Sequence, residues 1–272
     1  MSRVRRVAAI LGRAPLPVGA GTARSVVERD AVAAPHNWRA VATGFAEPVF
    51  YLLSLGMGLG TLVGTVPAGD GVRVRYAVFV APALVATSAM NGAVFDSTFN
   101  VFWKLKYARL YDAMLATPLE PRHVAVGEVA WAQLRGLAYA AAFLLVLLAA
   151  GLLPSWWALL ALPAALLVGL AFAGVGMAAT TFMRSWQDFD LVQLVVLPLF
   201  LFSGTFYPLT AYPPVLATIV QFTPLYRGTD LIRGFTTGVL DPSMMVDVVY
   251  LVAMGLIGLT IVSRRLDKLL LG

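Results

Sequence analysis

Residues 202–238 read FSGTFYPLTAYPPVLATIVQFTPLYRGTDLIRGFTTG. This stretch is too apolar for a solvated linker, and its four prolines break it too often for one continuous helix. The pieces between the prolines are too short to cross a bilayer, which takes about 20 apolar residues. We therefore predict a pair of short helices, over about residues 208–240, that dip into or lie on one membrane face. Irregular backbone at membrane depth survives only where protein or a water-filled cavity surrounds it.

The chain as a whole is apolar enough to be an integral membrane protein. Of its 272 residues 60% are hydrophobic and 12% are charged, whereas a soluble domain carries about 25% charged residues. The apolar runs do not alternate as barrel strands would, so they favour helices. We predict an all-α protein with six transmembrane helices, the third with room for an earlier start and the fifth marginal in length. They cover about residues 45–66, 76–99, 136–153, 156–182, 191–207 and 244–262.

Positive charge is distributed unevenly between the segments that join these runs. Fifteen of the 20 Lys and Arg residues fall in residues 1–44, 100–122, 183–190 and 263–272. This asymmetry predicts that both termini are cytoplasmic, with a membrane domain over 45–263 and a tail over 264–272. The helix pair is then extracytoplasmic, with Arg227, Asp230 and Arg233 at its watery rim. The same distribution accounts for the net charge of +6 without a nucleic acid partner.

Several kinds of chemistry are excluded by what the sequence lacks. It contains no cysteine, so it has no disulfide and no thiolate metal site. A phosphate-binding Gly-x-x-x-x-Gly-Lys loop is absent, and His36 and His123 are far apart in sequence. We therefore expect no catalytic residue, no bound metal, no cofactor on this chain and no enzymatic activity of its own.

The charged residues near the apolar runs are few. We interpret them as interfacial anchors, because none is clearly at mid-membrane. Arg135 is expected to snorkel to the cytoplasmic interface. Glu128 lies two helical turns before Arg135, too far for a direct pair. An ion-driven carrier normally keeps a carboxylate near mid-membrane, so this pattern argues against that class. The residues are Glu47, Asp96, Glu128, Arg135 and Asp247.

Two segments outside the runs have helical patterns. Tyr107, Leu110, Tyr111 and Met114 recur at i, i+3, i+4 and i+7, which predicts an amphipathic helix over about residues 105–117 that stops before a proline. Its apolar face suits either the chain's own span ends or the groove of a soluble partner. The N-terminal segment predicts a short helix over residues 26–34, followed by an amphipathic entry at the interface.

Four stretches together resemble one family. They are EPVFYLLSLGMGLG at 47–60, YARLYDAMLATPL at 107–119, FSGTFYPL at 202–209 and PLYRGTDLIRG at 224–234. Their order and spacing cover nearly the whole chain from residue 24 on. The chain resembles type-2 ABC exporter permeases, and especially the branch of the nodulation lipo-oligosaccharide exporter permease and actinobacterial drug-export permeases. The chain departs from that pattern at residues 33–36, AAPH, where relatives tend to continue a basic helix.

The resemblance implies the membrane subunit of an ATP-driven exporter in the bacterial inner membrane. A second permease subunit, identical or different, would pair with it within the lipid. Two ATPase subunits, which carry the ATP and Mg, would dock beneath. The implied substrate is an amphipathic drug, glycolipid or lipid-linked saccharide that leaves the cytoplasm or the inner leaflet.

The resemblance also implies roles for particular residues, in three groups. The first group forms the coupling helix that receives the ATPase stroke, the second belongs to an amphipathic connecting helix, and the third lines an outer gate. The gate residues also suit ordinary helix packing or an interfacial aromatic belt. An ion-coupled carrier and an assembly scaffold stay open as other classes. The groups are Tyr107, Arg109, Leu110, Tyr111, Met114, Thr117 and Pro118; then Arg29, Trp38 and Arg39; then Phe202, Ser203, Phe206 and Tyr207.

Overall fold

The computed structural model describes residues 21–33, 46, 48–67, 73–115 and 120–270. These residues are almost entirely helical, as predicted. A two-stranded antiparallel hairpin, which the sequence did not predict, joins the second and third helices. The elements are α1 (Gly21–Ala33), α2 (Pro48–Val63), β1 (Thr65–Pro67), β2 (Arg73–Arg75), α3 (Tyr76–Tyr107), α4 (Leu110–Leu115), α5 (Pro121–Ala149), α6 (Trp156–Thr180), α7 (Asp188–Phe202), α8 (Pro214–Gln221), α9 (Pro224–Thr237) and α10 (Met244–Leu270).

Four of these helices, α3, α5, α6 and α10, are long and apolar enough to cross a membrane. The central one is α3, which packs against α2, α5, α6 and α9. In its most apolar window 78% of the residues are buried inside the protein, against 28% for α10. The first and fifth predicted spans correspond to the shorter helices α2 and α7, of which α7 has 15 residues.

Four helix boundaries differ by five or more residues from the sequence prediction, and one of them is the end of α10, at Leu270 instead of residue 262. Helix α3 continues to Tyr107 instead of ending at residue 99, and α5 begins at Pro121 instead of residue 136. The sequence misled because the added turns carry charged residues, yet Lys104 and Arg135 each face a carboxylate on the neighbouring helix and not lipid. Helix α7 ends at Phe202 instead of residue 207. It ends there because Gly204 has a φ of +65°, a left-handed conformation that cannot continue a helix.

The two short helices predicted in residues 208–240 are present as α8 and α9. Each begins with a proline at its first position, Pro214 and Pro224, where the missing N–H costs no hydrogen bond. The Thr223 side chain caps α9 by accepting a hydrogen bond from the Tyr226 N–H. Gly238 ends α9 with a φ of +81°, the usual glycine stop. The prolines therefore divide this segment as the sequence indicated.

Arg233 of α9 is buried, so the prediction that it lies at a watery rim is wrong. Its guanidinium carbon lies 4.0 Å from the centre of the Phe79 ring. The same guanidinium donates to the backbone carbonyl of Gly204 at 2.8 Å and to that of Phe79 at 3.3 Å. These contacts fasten α9 to the start of α3 and to the turn that ends α7.

Helices α6 and α10 approach each other through glycines. An ideal Cβ at Gly174 would lie 2.7 Å from the carbonyl oxygen of Gly255. One at Gly258 would lie 2.7 Å from the carbonyl oxygen of Gly174 and 2.7 Å from the Val175 nitrogen. Small residues allow such close backbone approach in membrane helices. These glycines of α6 and α10 therefore serve close helix packing.

The Gly258→Ala substitution should destabilise the protein, because the added methyl group meets backbone atoms that cannot rotate away. We expect a loss of about 1–3 kcal/mol, the usual cost of overpacking. Thermal unfolding in detergent measures it. Gly136→Ala is the control, since a Cβ there meets nothing within 4 Å. Equal stability of the two variants would contradict the close crossing.

Candidate functional site

Four charged side chains meet where α1, α3 and α5 come together, and we call them the junction cluster. Lys104 of α3 lies 2.6 Å from Glu128 of α5 and 3.0 Å from Asp30 of α1. Arg29 of α1 lies 2.5 Å from Asp30 and 3.4 Å from Glu128. The cluster therefore connects the N-terminal helix to two of the long apolar helices.

The junction cluster is buried and electrically balanced. Only 7% of the Asp30 side chain and 4% of the Glu128 side chain are exposed. Burial of a lone charge costs several kcal/mol, and here two cations offset two carboxylates. Removal of one member would leave an uncompensated charge, so the three helices are held in one relative position.

Gly127 brings α1 close to α5 at this point. An ideal Cβ at Gly127 would lie 2.6 Å from the Cβ of Val26 and 2.9 Å from the carbonyl oxygen of Ala23. Any larger residue would push α1 away from the turn of α5 that carries Glu128. Arg29, the predicted connecting-helix residue, therefore reaches the junction cluster because its helix rests on a glycine.

The predicted continuous helix over residues 105–117 is wrong, because the chain breaks before α4. Arg109 has a φ of +44°, which is rare for a residue with a side chain and interrupts the helix. Tyr107 stays on α3, where its ring lies 5.3 Å from that of Trp103 and 5.4 Å from that of Trp186. It does not share a face with the residues of α4.

Helix α4 turns its aromatic residue inward. Tyr111 is completely buried, and the sulfur of Met114 lies 4.0 Å from a guanidinium nitrogen of Arg29. Burial raises the pKa of Tyr111 well above its ordinary value, and the nearby Glu128 carboxylate raises this pKa further. The phenol therefore stays protonated beneath the cluster. Arg109, Asp112 and Ala113 are exposed.

A second ion pair joins α3 to α5 about two turns from the junction cluster. Arg135 of α5 lies 2.8 Å from Asp96 of α3, so it does not snorkel as predicted. On α5 Glu128 precedes Arg135, and on α3 Asp96 precedes Lys104, so two antiparallel helices place opposite charges side by side. The prediction that Glu128 and Arg135 do not pair with each other is correct.

Both ion pairs lie on widened turns of α3. The helix adopts π-helical geometry over Asp96–Asn100 and again over Trp103–Tyr107. Such turns are rare and are frequently found at functional sites. Asn100 also donates a hydrogen bond from its amide to the Asp96 carboxylate. The polar residues of α3 thus share a distorted part of the helix.

A groove of about 620 Å³ opens beside the Asp96–Arg135 pair, between α2, α3, α5 and α7. Polar side chains in a membrane span usually face protein or a water-filled cavity, so this groove differs from a lipid-facing surface. Its polar lining residues are Asn91, Thr98, Arg135, Tyr139 and Gln193.

Aromatic rings form much of the remaining wall of the groove. The ring of Trp186, in the turn before α7, lies 5.0 Å from that of Phe99 and 5.3 Å from that of Phe189. Apolar walls with a few polar groups are typical of small-molecule sites. The aromatic lining residues are Tyr51, Phe95, Phe99, Trp186, Phe189 and Phe200.

The four predicted gate residues do not share one surface. Ser203 is fully buried, and its hydroxyl oxygen lies 3.2 Å from that of Thr223. The ring of Phe206 packs edge-on against that of Phe200 at 5.0 Å. Phe202 and Tyr207 are 45% and 59% exposed. Their gate role stays a prediction.

Part of the predicted site falls outside the described residues, namely Trp38, Arg39, Thr117 and Pro118. No sequence pattern singled out Asp30, Lys104 or Trp186. The two ion pairs between α3 and α5 could have been predicted from residue spacing. Glu128 and Arg135 are about two turns apart on α5, and Asp96 and Lys104 are about two turns apart on α3, so opposite charges meet when the two helices pack antiparallel. Within the described residues, no group of three or more His, Asp or Glu side chains could hold a metal ion.

The fold and these contacts define a multi-pass α-helical membrane protein with a polar groove among its helices. The family described as ABC-2 type transporter matches residues 23–235, and the chain belongs to that family. Its members are transport permeases, which in general work with an ABC ATPase. This chain is therefore a permease component and not itself an enzyme.

Individual relatives agree with this assignment. Nodulation protein J of Rhizobium leguminosarum bv. viciae is 34% identical over 269 residues, which cover 95% of this chain and 100% of the relative. The protein of the same name from R. leguminosarum bv. trifolii is 40% identical over 71% of this chain and 72% of its own length. The inner membrane transport permease YadH of Escherichia coli is 27% identical over 75% of this chain and 81% of its own length.

The Lys104→Met substitution should strongly destabilise the protein, because it leaves the two buried carboxylates, Asp30 and Glu128, with only Arg29 to offset them. We expect a loss of about 3–5 kcal/mol, the usual cost of breaking a buried pair. Denaturant unfolding in mixed micelles measures this loss. Lys106→Met is the control, since Lys106 is exposed two residues away, and should change stability by less than about 0.5 kcal/mol. Similar losses in both variants would contradict the role of the cluster.

Proposed function

We propose that this chain is the membrane subunit of an ATP-driven exporter in the bacterial inner membrane. It would cross the membrane six times, with both termini in the cytoplasm. A second permease subunit, identical or different, and two ATPase subunits would complete the transporter, with ATP and Mg bound by the ATPases. The substrate would be an amphipathic drug, glycolipid or lipid-linked saccharide taken from the cytoplasm or the inner leaflet.

The observation that carries this proposal is the way α4 is attached. The helix exposes Asp112 and Ala113 on one side, next to the exposed Arg109 that precedes it, and on the other it buries Tyr111 beneath the junction cluster. An ATPase that pushed on the exposed side would displace Tyr111 against Glu128 of the junction cluster. Because the cluster joins α1, α3 and α5, the displacement would move three helices together.

An ion-coupled carrier is less well supported by the charges of the described residues. Such a carrier needs a buried carboxylate that can gain and lose an ion. Asp96 and Glu128 are buried, but each is already engaged by a cation, Arg135 and Lys104 respectively. These paired charges fit better with a mechanism in which an ATPase outside the membrane domain pushes on the helices.

The outer surface of α7 supports the proposed pairing of permeases. Leu191, Leu194, Val195 and Leu197 are each more than half exposed, and α7 makes few contacts with the rest of the chain. The groove opens beside this helix. A second subunit packed there would cover the apolar surface and close the groove on its open side.

Single-cysteine labelling tests the proposed topology, because the natural chain contains no cysteine. We expect a membrane-impermeant maleimide to label Ser243→Cys on intact cells. Ala113→Cys should react only after the membrane is permeabilised. Both positions are exposed, so access to the reagent depends on the side of the membrane. Labelling of Ala113→Cys from outside would reverse the orientation.

Ala113→Trp should block the ATPase from docking on α4, because the indole projects from the exposed side of that helix. We expect the affinity between purified permease and ATPase to fall by about tenfold or more, the effect of about 1.4 kcal/mol. ATP-dependent export should fall with it. Co-purification measures the affinity, and ATP-dependent transport into inside-out proteoliposomes measures the export.

Ala211→Trp serves as the matched control, since Ala211 is also exposed but lies between α7 and α8. It should leave ATPase binding unchanged. Full export by Ala113→Trp would remove the coupling role of α4. Failure of any ATPase to co-purify with the natural chain from its own membranes would contradict the proposed function itself.

A further inference from the structure

The groove contains one charged lining side chain among the described residues, Arg135, and that charge is neutralised from behind. Asp96 lies 2.8 Å from Arg135 but is not itself part of the groove wall. The Asp96 residue is only 5% exposed, and Asn100 donates a further hydrogen bond to its carboxylate. The carboxylate therefore offsets the Arg135 charge without offering a negative group to a ligand.

The other polar groups of the groove carry no charge. Asn91 and Gln193 present amides, which both donate and accept hydrogen bonds, and Thr98 and Tyr139 present hydroxyls. Between them lie the aromatic faces of the wall. Such a lining suits a ligand with an apolar body and a polar part rich in neutral hydrogen-bonding groups.

We propose that Asp96 is a specificity-determining residue, which limits the groove to amphiphiles with an uncharged polar part by neutralising Arg135. This inference rests on the proposed function, because it takes the groove as part of the substrate route. The inference narrows the proposed substrate class from any amphiphile to a neutral amphiphile. It assigns this selectivity to Asp96, which does not touch the ligand.

The Asp96→Asn substitution isolates the charge, because asparagine has nearly the same shape. The asparagine carbonyl can still accept a hydrogen bond from Arg135, but the guanidinium charge is no longer offset. A phosphate head group in the groove would then gain a charge-assisted contact with Arg135. Selectivity should therefore shift toward anionic amphiphiles.

The test uses the purified full chain in lipid nanodiscs and three dansyl-labelled dodecyl probes. Their head groups are a neutral glucoside, an anionic phosphate and a cationic trimethylammonium. Energy transfer from Trp186, which lines the groove, reports binding there, and Trp186→Phe supplies the background from the other tryptophans and from bulk lipid. The measured quantity is the affinity for each charged probe divided by that for the glucoside.

The natural chain should bind the glucoside more tightly than either charged probe. In Asp96→Asn the phosphate-to-glucoside ratio should rise by about tenfold, which one charge–charge contact near a protein surface can supply. Asp96→Asn/Arg135→Gln is neutral again, so its ratio should return to within about twofold of the natural value. If Asp96→Asn unfolds, Arg135→Gln takes its place: it leaves the Asp96 charge without its partner, so the trimethylammonium-to-glucoside ratio should rise, and an unchanged ratio would overturn the proposal.

Asp241→Asn is the matched control, because this carboxylate is exposed in the turn between α9 and α10 and accepts from the Ser243 N–H. Its ratios should equal those of the natural chain. An unchanged ratio in a folded Asp96→Asn would overturn the proposal. So would the absence of any Trp186-dependent signal in the natural chain, whereas failure of the export function is read separately, from ATPase co-purification.

Discussion

The structure depends on two ion pairs that join α3 to α5 in opposite directions. Asp96 pairs with Arg135, and about two turns away Lys104 pairs with Glu128. If either helix slipped by one turn along the other, four buried charges would lose their partners, at a cost of several kcal/mol each. The pairs therefore fix the register of the two helices, and the junction cluster and the groove both depend on that register.

This constraint explains why the sequence predicted the main helices better than their ends. Hydropathy identified the apolar centres of α3, α5, α6 and α10, because lipid and the protein core both favour the same residues. Hydropathy made α3 end too early and α5 begin too late, because a charged residue is taken as the end of an apolar run. Whether such a residue meets water or an opposite charge depends on the neighbouring helix, which no single run of sequence contains.

The candidate site was likewise predicted only in part. Arg29, Tyr111 and Met114 were predicted from helical pattern and family resemblance, and the structure brings them together with Glu128. The prediction of one amphipathic face was wrong, because periodicity assumes an unbroken helix and Arg109 has a positive φ. Backbone breaks at residues other than glycine and proline leave little trace in composition. The pair of helices after α7 was predictable, since its prolines and glycines act locally.

A cationic side chain anchors α3 at each of its ends. One of these side chains comes from α9, and the other belongs to the last turns of α3 itself. At its start Arg233 lies over the Phe79 ring and binds the carbonyls of Phe79 and Gly204. At its end Lys104 is bound by Asp30 and Glu128. Under the proposed coupling role of α4, a buried helix fixed at two points would carry a displacement at the junction cluster along its length to α9. The widened turns at Asp96–Asn100 interrupt that helix beside the groove, where a small change of helical twist would alter the groove wall without separating either end.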